Sequence, residues 1–162
     1  MFDRLDDDAR RAVMRAAQEE AREQGSATIE AEHLLLALAA EEDTPTGRLL
    51  AAAGLDHEGV LAALASETAR SLAAVGVAID DFASFDAGPT GRPSPKLAAS
   101  AKRVLERAVG LARAGAAGHI TSAHLLAGIL GAAVGTVPRA LETAGIDRIA
   151  LGAGAERLLG PR

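Results

Sequence analysis

Among the side chains of this 162-residue sequence, the four histidines are the ones best suited to proton transfer near neutral pH. His33 and His124 sit in two matching His-Leu-Leu blocks, His33 directly after Glu32. A catalytic reading would make Glu32 and His33 an acid–base pair, but the position equivalent to Glu32 in the second block is Ala123. A structural role fits better: an imidazole that is mostly buried and hydrogen-bonded to a helix end in both places. His119 and His124 are five apart, which is not the i, i+4 spacing of a metal pair on a helix, so no metal site is expected. Gly88-Pro89-Thr90-Gly91-Arg92-Pro93 is glycine-rich but lacks the Gly-Lys-Ser/Thr ending, and its prolines remove the backbone donors a phosphate cradle uses. No Gly-x-Ser-x-Gly elbow is present, and with no cysteine there is no thiol nucleophile, disulfide or thiolate zinc site. The residues thus point away from an enzyme and imply no cofactor.

Basic residues gather on two helical stretches: Arg4, Arg10, Arg11, Arg15 and Arg22, then Lys96, Lys102, Arg103, Arg107 and Arg113. These read as solvated faces. The net charge is −5, and three Phe with no Tyr or Trp leave no stacking platform, so no nucleic acid is expected as partner. Residues 1–74 carry a net charge of −8 and residues 75–162 carry +3. Two differently solvated faces explain this, and a dipolar surface that steers a charged partner is the sharper alternative.

The elements that must place these residues repeat. Ala9-Arg10-Arg11-Ala12-Val13 matches Ala101-Lys102-Arg103-Val104-Leu105 at an offset of 92. His33-Leu34-Leu35 matches His124-Leu125-Leu126 at 91, as do Arg48/Arg139, Gly54/Gly145 and Asp56/Asp147. The spacing describes a tandem duplication. Alanine supplies 39 residues and aromatics only 2%, a composition that favours close-packed helices over strands. Each unit reads as four helices. Leu5, Ala9, Ala12, Val13 and Ala16 form the stripe of the first, with Gly25 ending it. Thr28 is the expected N-cap of a helix from Ile29 to about Ala40, Thr46 of the third helix and Asp56 of the fourth. In the second unit Pro93-Ser94-Pro95 opens the fifth helix, while Thr121 and Asp147 cap the sixth and eighth. The expected organisation is a repeat over 1–74, a linker over 75–95 whose Phe82 and Phe85 pin it to a groove, and a repeat over 96–160. The two repeats pack into one all-α, eight-helix globule with pseudo-two-fold symmetry. The acidic N-terminus is unlike a signal peptide and no apolar run reaches the length of a membrane span, so a cytoplasmic protein with no membrane partner is expected.

Met1-Phe2-x-Arg4-Leu5, Ala9-Arg10-Arg11-Ala12-Val13, Gln18-Glu19-Glu20-Ala21-Arg22 and Ile29-Glu30-Ala31-Glu32-His33-Leu34-Leu35, with Ala101-Lys102-Arg103-Val104-Leu105-Glu106 in the second unit, together resemble the amino-terminal double repeat of Clp AAA+ unfoldases, the ClpC branch above all. The resemblance covers about residues 1–158. It implies a binding domain without catalysis. In that family the domain receives adaptor proteins and substrates for an ATP-driven ring, including arginine-phosphorylated proteins, and in actinobacteria it binds cyclic-peptide antibiotics. Glu32 matches the family carboxylate that pairs with a phosphorylated guanidinium, and Ala123 replaces its second copy. Phe2, Arg10, Val13, Lys102 and Glu106 match the groove used by adaptors and cyclic peptides. Leu97 stands where the family has a Phe, and Glu41-Glu42-Asp43-Thr44-Pro45 where ClpC has a glycine-rich turn.

The sequence therefore leads to a stand-alone Clp-repeat protein acting as an adaptor or decoy. Its partners would be Clp components, adaptors and substrate peptides. The alternatives are a structural subunit of a larger Clp assembly and a hydrolase using His33 and Glu32.

Overall fold

A computed structural model describes residues 7–78, 94–115 and 118–160, with side chains from Ala12 onward in the first stretch. Eight helices and a two-strand ladder make up these described residues: α1 (Asp7–Glu23), β1 (Thr28–Ile29), α2 (Ala31–Ala40), α3 (Pro45–Ala52), α4 (His57–Ala74), β2 (Lys96–Leu97), α5 (Ala99–Ala114), α6 (Ser122–Leu130), α7 (Thr136–Thr143) and α8 (Arg148–Leu159).

α2 and α6 are apolar on nearly every face, which drives them to the centre, where they pack on each other. α1 lays its Val13, Ala17 and Ala21 stripe on α2, and α5 lays Ala101, Val104 and Ala108 on α6. Alanine at these positions allows close helix approach, and Leu34, Leu36, Leu38, Leu126 and Ile129 fill what remains. The outer helices cross between repeats: α4 packs on α7, and α3 packs on α8. Gly154 of α8 is buried where an added Cβ would lie 2.7 Å from Leu49 Cδ1 of α3. Each repeat thus closes its core with helices of the other. This is the duplicated all-helical architecture that the spacing predicts.

Several local expectations are corrected. Thr28 does not cap α2; Thr28 and Ile29 pair in parallel with Lys96 and Leu97, and Glu30 is the N-cap. Two backbone bonds hold the ladder, Lys96 N–H to Ala27 O at 3.1 Å and Ala98 N–H to Ile29 O at 3.0 Å. Pro93-Ser94-Pro95 does not open α5, because that ladder delays its start to Ala99. Thr46 is buried inside α3; the cap is Thr44, whose Oγ1 accepts the Gly47 N–H at 2.9 Å, with Pro45 at the first helical position. Asp56 and Asp147 do cap α4 and α8, and Gly54 and Gly145 end α3 and α7 with φ of 78° and 70°. Phe82 and Phe85 lie outside the described residues.

Candidate ligand-docking site

His33 and His124 occupy the third position of α2 and α6. There Nδ1 of His33 accepts the Glu30 N–H at 2.9 Å, and Nδ1 of His124 accepts the Thr121 N–H at 3.1 Å. Each ring fills the carboxamide or carboxylate half of a capping box. An Nδ1 that accepts a backbone N–H belongs to a neutral ring protonated at Nε2. Burial lowers both pKa values; the Glu30 and Glu20 carboxylates partly oppose this at His33, and His119 adds to it at His124. Among the described hydrogen bonds none joins His33 to Glu32, so the geometry supplies no acid–base dyad. Among the described residues no group of three His, Asp or Glu side chains could hold a metal ion.

Glu32 lies one residue before His33, half-buried in the first turn of α2. Burial raises its pKa first; a hydrogen bond from its own backbone lowers it, the carboxylates of Glu30 and Glu67 raise it further, and Arg139 opposes them. None of the described ion pairs includes Glu32. The carboxylate is therefore partly desolvated and, among the described residues, makes no ion pair, with Arg139 near enough to lower its pKa. Its neighbours were not read from the sequence. Glu67 of α4 is buried, accepts Ser71 Oγ–H at 2.6 Å and pairs with Arg139 Nε of α7 at 2.8 Å. The signal was present: Glu67 falls on the same stripe as Val60 and Ala63, where a charge requires a partner. The Arg139 side chain stays 56% exposed, so part of its guanidinium faces solvent within electrostatic range of Glu32.

The second set of expected ligand residues lies elsewhere. Leu97 is half-buried in β2, packed against the core. Lys102 and Glu106 are exposed and four apart on α5, hence on one face. Val13 is 1% exposed and belongs to the core, so it can support a groove from beneath but cannot touch a ligand. Arg10 lies in α1 with its side chain outside the described residues, and Phe2 lies outside them altogether. The structure places Glu32 near the α4–α7 seam and Leu97, Lys102 and Glu106 along α5 and its lead. Serine bonds link the two regions: Ser100 Oγ of α5 accepts the Ala31 N–H at 2.9 Å and donates to the Glu30 carboxylate, so α5 completes the N-terminus of α2.

Residues 4–144 match the Clp repeat (R) N-terminal domain family. The fold is similar to the crystal structure of the N-terminal domain of the caseinolytic protease associated chaperone ClpD from Arabidopsis thaliana. That likeness has a TM-score of 0.69 and 23% identity, covering 99% of this chain and 97% of that one. The Hsp104 N-terminal domain from Candida albicans is similar at TM-score 0.63 and 17% identity, over 99% of this chain and 93% of that one. No curated protein matches the chain. No single helix among the described residues is long and apolar enough to cross a membrane.

Proposed function

Because the chain belongs to the Clp repeat (R) N-terminal domain family, we propose that it is a non-catalytic docking module of a cytoplasmic Clp-type protein-degradation system, which binds adaptors and substrate segments and acts as an adaptor or decoy. The observation that carries this reading is the Glu32 carboxylate, desolvated at the head of α2 and lacking a described ion pair. A guanidinium brings two parallel N–H donors to a carboxylate, and a phosphorylated guanidinium adds an anionic group that needs a nearby cation. Arg139, half-open and within the electrostatic field of Glu32, supplies that second charge. Ala123 replaces the carboxylate in the other repeat, so the module engages one such ligand and gains no avidity from a second. Leu97, Lys102 and Glu106 offer a separate apolar and charged surface for an adaptor or cyclic peptide; Phe2 and the Arg10 side chain, expected there from the resemblance, lie outside the described residues.

The test is calorimetric titration of an arginine-phosphorylated peptide into the protein. Glu32→Gln should weaken binding by about tenfold or more while leaving thermal stability equal or higher, since the substitution removes a partly buried charge. Equal affinity in both proteins would remove Glu32 from the site.

A further inference from the structure

The β1–β2 ladder has two outer edges, and they differ. Along a strand the N–H and C=O of one residue face one side and those of the next face the other. Lys96 and Ala98 donate to Ala27 O and Ile29 O across the ladder, so both backbone groups of Leu97 face away from β1. On β1 the outward residue is Thr28, and the chain closes that edge itself. Ser26 Oγ accepts the Thr28 N–H at 3.2 Å and donates to the Thr28 C=O at 2.7 Å. On β2, none of the described hydrogen bonds reaches the backbone of Leu97.

An outward N–H and C=O on one residue are the groups that a further strand takes up. They select an extended backbone as occupant, because a helix keeps its own N–H and C=O groups paired along its length. The side chains select its sequence. Leu97 is half-buried against the core and Lys96 is exposed. Residues abreast on neighbouring strands share a face, so an aliphatic residue suits the place beside Leu97 and an acidic one the place beside Lys96. No described ion pair includes Lys96, and α5, which follows directly, carries Lys102, Arg103, Arg107 and Arg113 against Glu106 alone. Glu30, the acid at the end of β1, is occupied: it accepts from Thr28 Oγ1 at 3.1 Å and from Ser100 Oγ.

We infer that the outer edge of β2 binds an extended acidic–aliphatic–acidic segment of an adaptor or substrate. The aliphatic residue exchanges both backbone bonds with Leu97, and its acidic neighbours meet Lys96 and the basic start of α5. Within the docking module proposed above, on which this assignment rests, the edge gives the surface formed by Leu97, Lys102 and Glu106 its backbone recognition. The first repeat has no second site of this kind, because Ser26 occupies the matching edge of β1. A second copy of the chain fits poorly. Pairing β2 with β2 would bring together two copies of Lys96 and of Lys102 and Arg103 at the start of α5, like charges that repel.

The experiment is an NMR titration of the isotope-labelled full chain with three blocked peptides. They are Ser-Ser-Glu-Val-Glu-Ser-Ser, the same peptide N-methylated at its valine, and Ser-Ser-Lys-Val-Lys-Ser-Ser. The acidic peptide should shift the Leu97 amide signal. The N-methylated peptide, which cannot donate to the Leu97 C=O, and the basic peptide should each bind about tenfold or more weakly. Lys96→Glu changes an exposed side chain, so its melting curve should be unaltered while it loses affinity for the acidic peptide. It should still bind the arginine-phosphorylated peptide as the wild type does, so this edge and the Glu32 site fail separately. Equal binding of the parent and N-methylated peptides, equal binding of the acidic and basic peptides, or a Leu97 amide unmoved by excess acidic peptide would overturn the assignment. So would a concentration-dependent dimer that shifts the Leu97 amide without peptide, which would give the edge to a second copy.

Discussion

His33 and His124 show how a titratable side chain can be held neutral by geometry. Each Nδ1 accepts a backbone N–H that protonation at that nitrogen would oppose, and burial lowers each pKa below 6.5. A folded-state value below the unfolded one means that the unfolded chain takes up protons first as pH falls. The contribution is present in full above about pH 6.5 and declines as pH drops through that value toward the folded pKa. Urea midpoints measured across this range should fall on acidification, and less so in His33→Gln, which keeps an acceptor at the capping position. His33→Ala should cost about 1–3 kcal/mol in the same denaturation assay, because it leaves the Glu30 N–H without its partner.

At the scale of elements, the two repeats solve one packing problem differently. Gly128 of α6 lies against α5 so closely that an added Cβ would come 2.7 Å from the Val104 carbonyl oxygen, and Arg107 Nε donates to the Gly128 carbonyl at 2.7 Å. Its equivalent on α2 is Ala37, fully buried and accommodated. Alanine is the better helix former, yet Gly128→Ala must push two backbones apart. We expect it to destabilise by about 1–3 kcal/mol, read as a lower melting temperature, whereas Gly152→Ala in α8, which has nothing within 4 Å, should be neutral or stabilising. The caps made by Asp56 and Asp147 were legible because a cap acts within one turn of its own residue. The β1–β2 ladder was not, since two-residue strands carry no periodicity and depend on a partner far along the chain.

For the whole molecule, the crossing of α3 onto α8 and α4 onto α7 makes the repeats interdependent. The Glu67–Arg139 pair ties the second of these seams across 72 positions of sequence. Hydrogen bonds from Arg139 and then Ser71 lower the Glu67 pKa against the opposing effect of burial. The stability this adds is present above about 4.5 and is lost as pH falls through the lowered folded value. The loss of stability in acid should therefore come in two stages, a histidine component below about pH 6.5 and a Glu67 component below 4.5. Arg139→Ala should cost about 1–3 kcal/mol at neutral pH, because it strands a buried carboxylate. It should also flatten the lower stage alone, as followed by circular dichroism.

The sequence by itself determined the duplication, the helical class, most helix ends and the loss of Glu32's counterpart at Ala123. All of these are written in residues adjacent along the chain or related by one fixed offset. The tertiary structure alone decided that Glu30 rather than Thr28 caps α2 and that Glu67 meets Arg139. Each of these depends on segments brought together from opposite repeats, and their energies arise from burial and pairing that no local stretch of chain possesses before it folds.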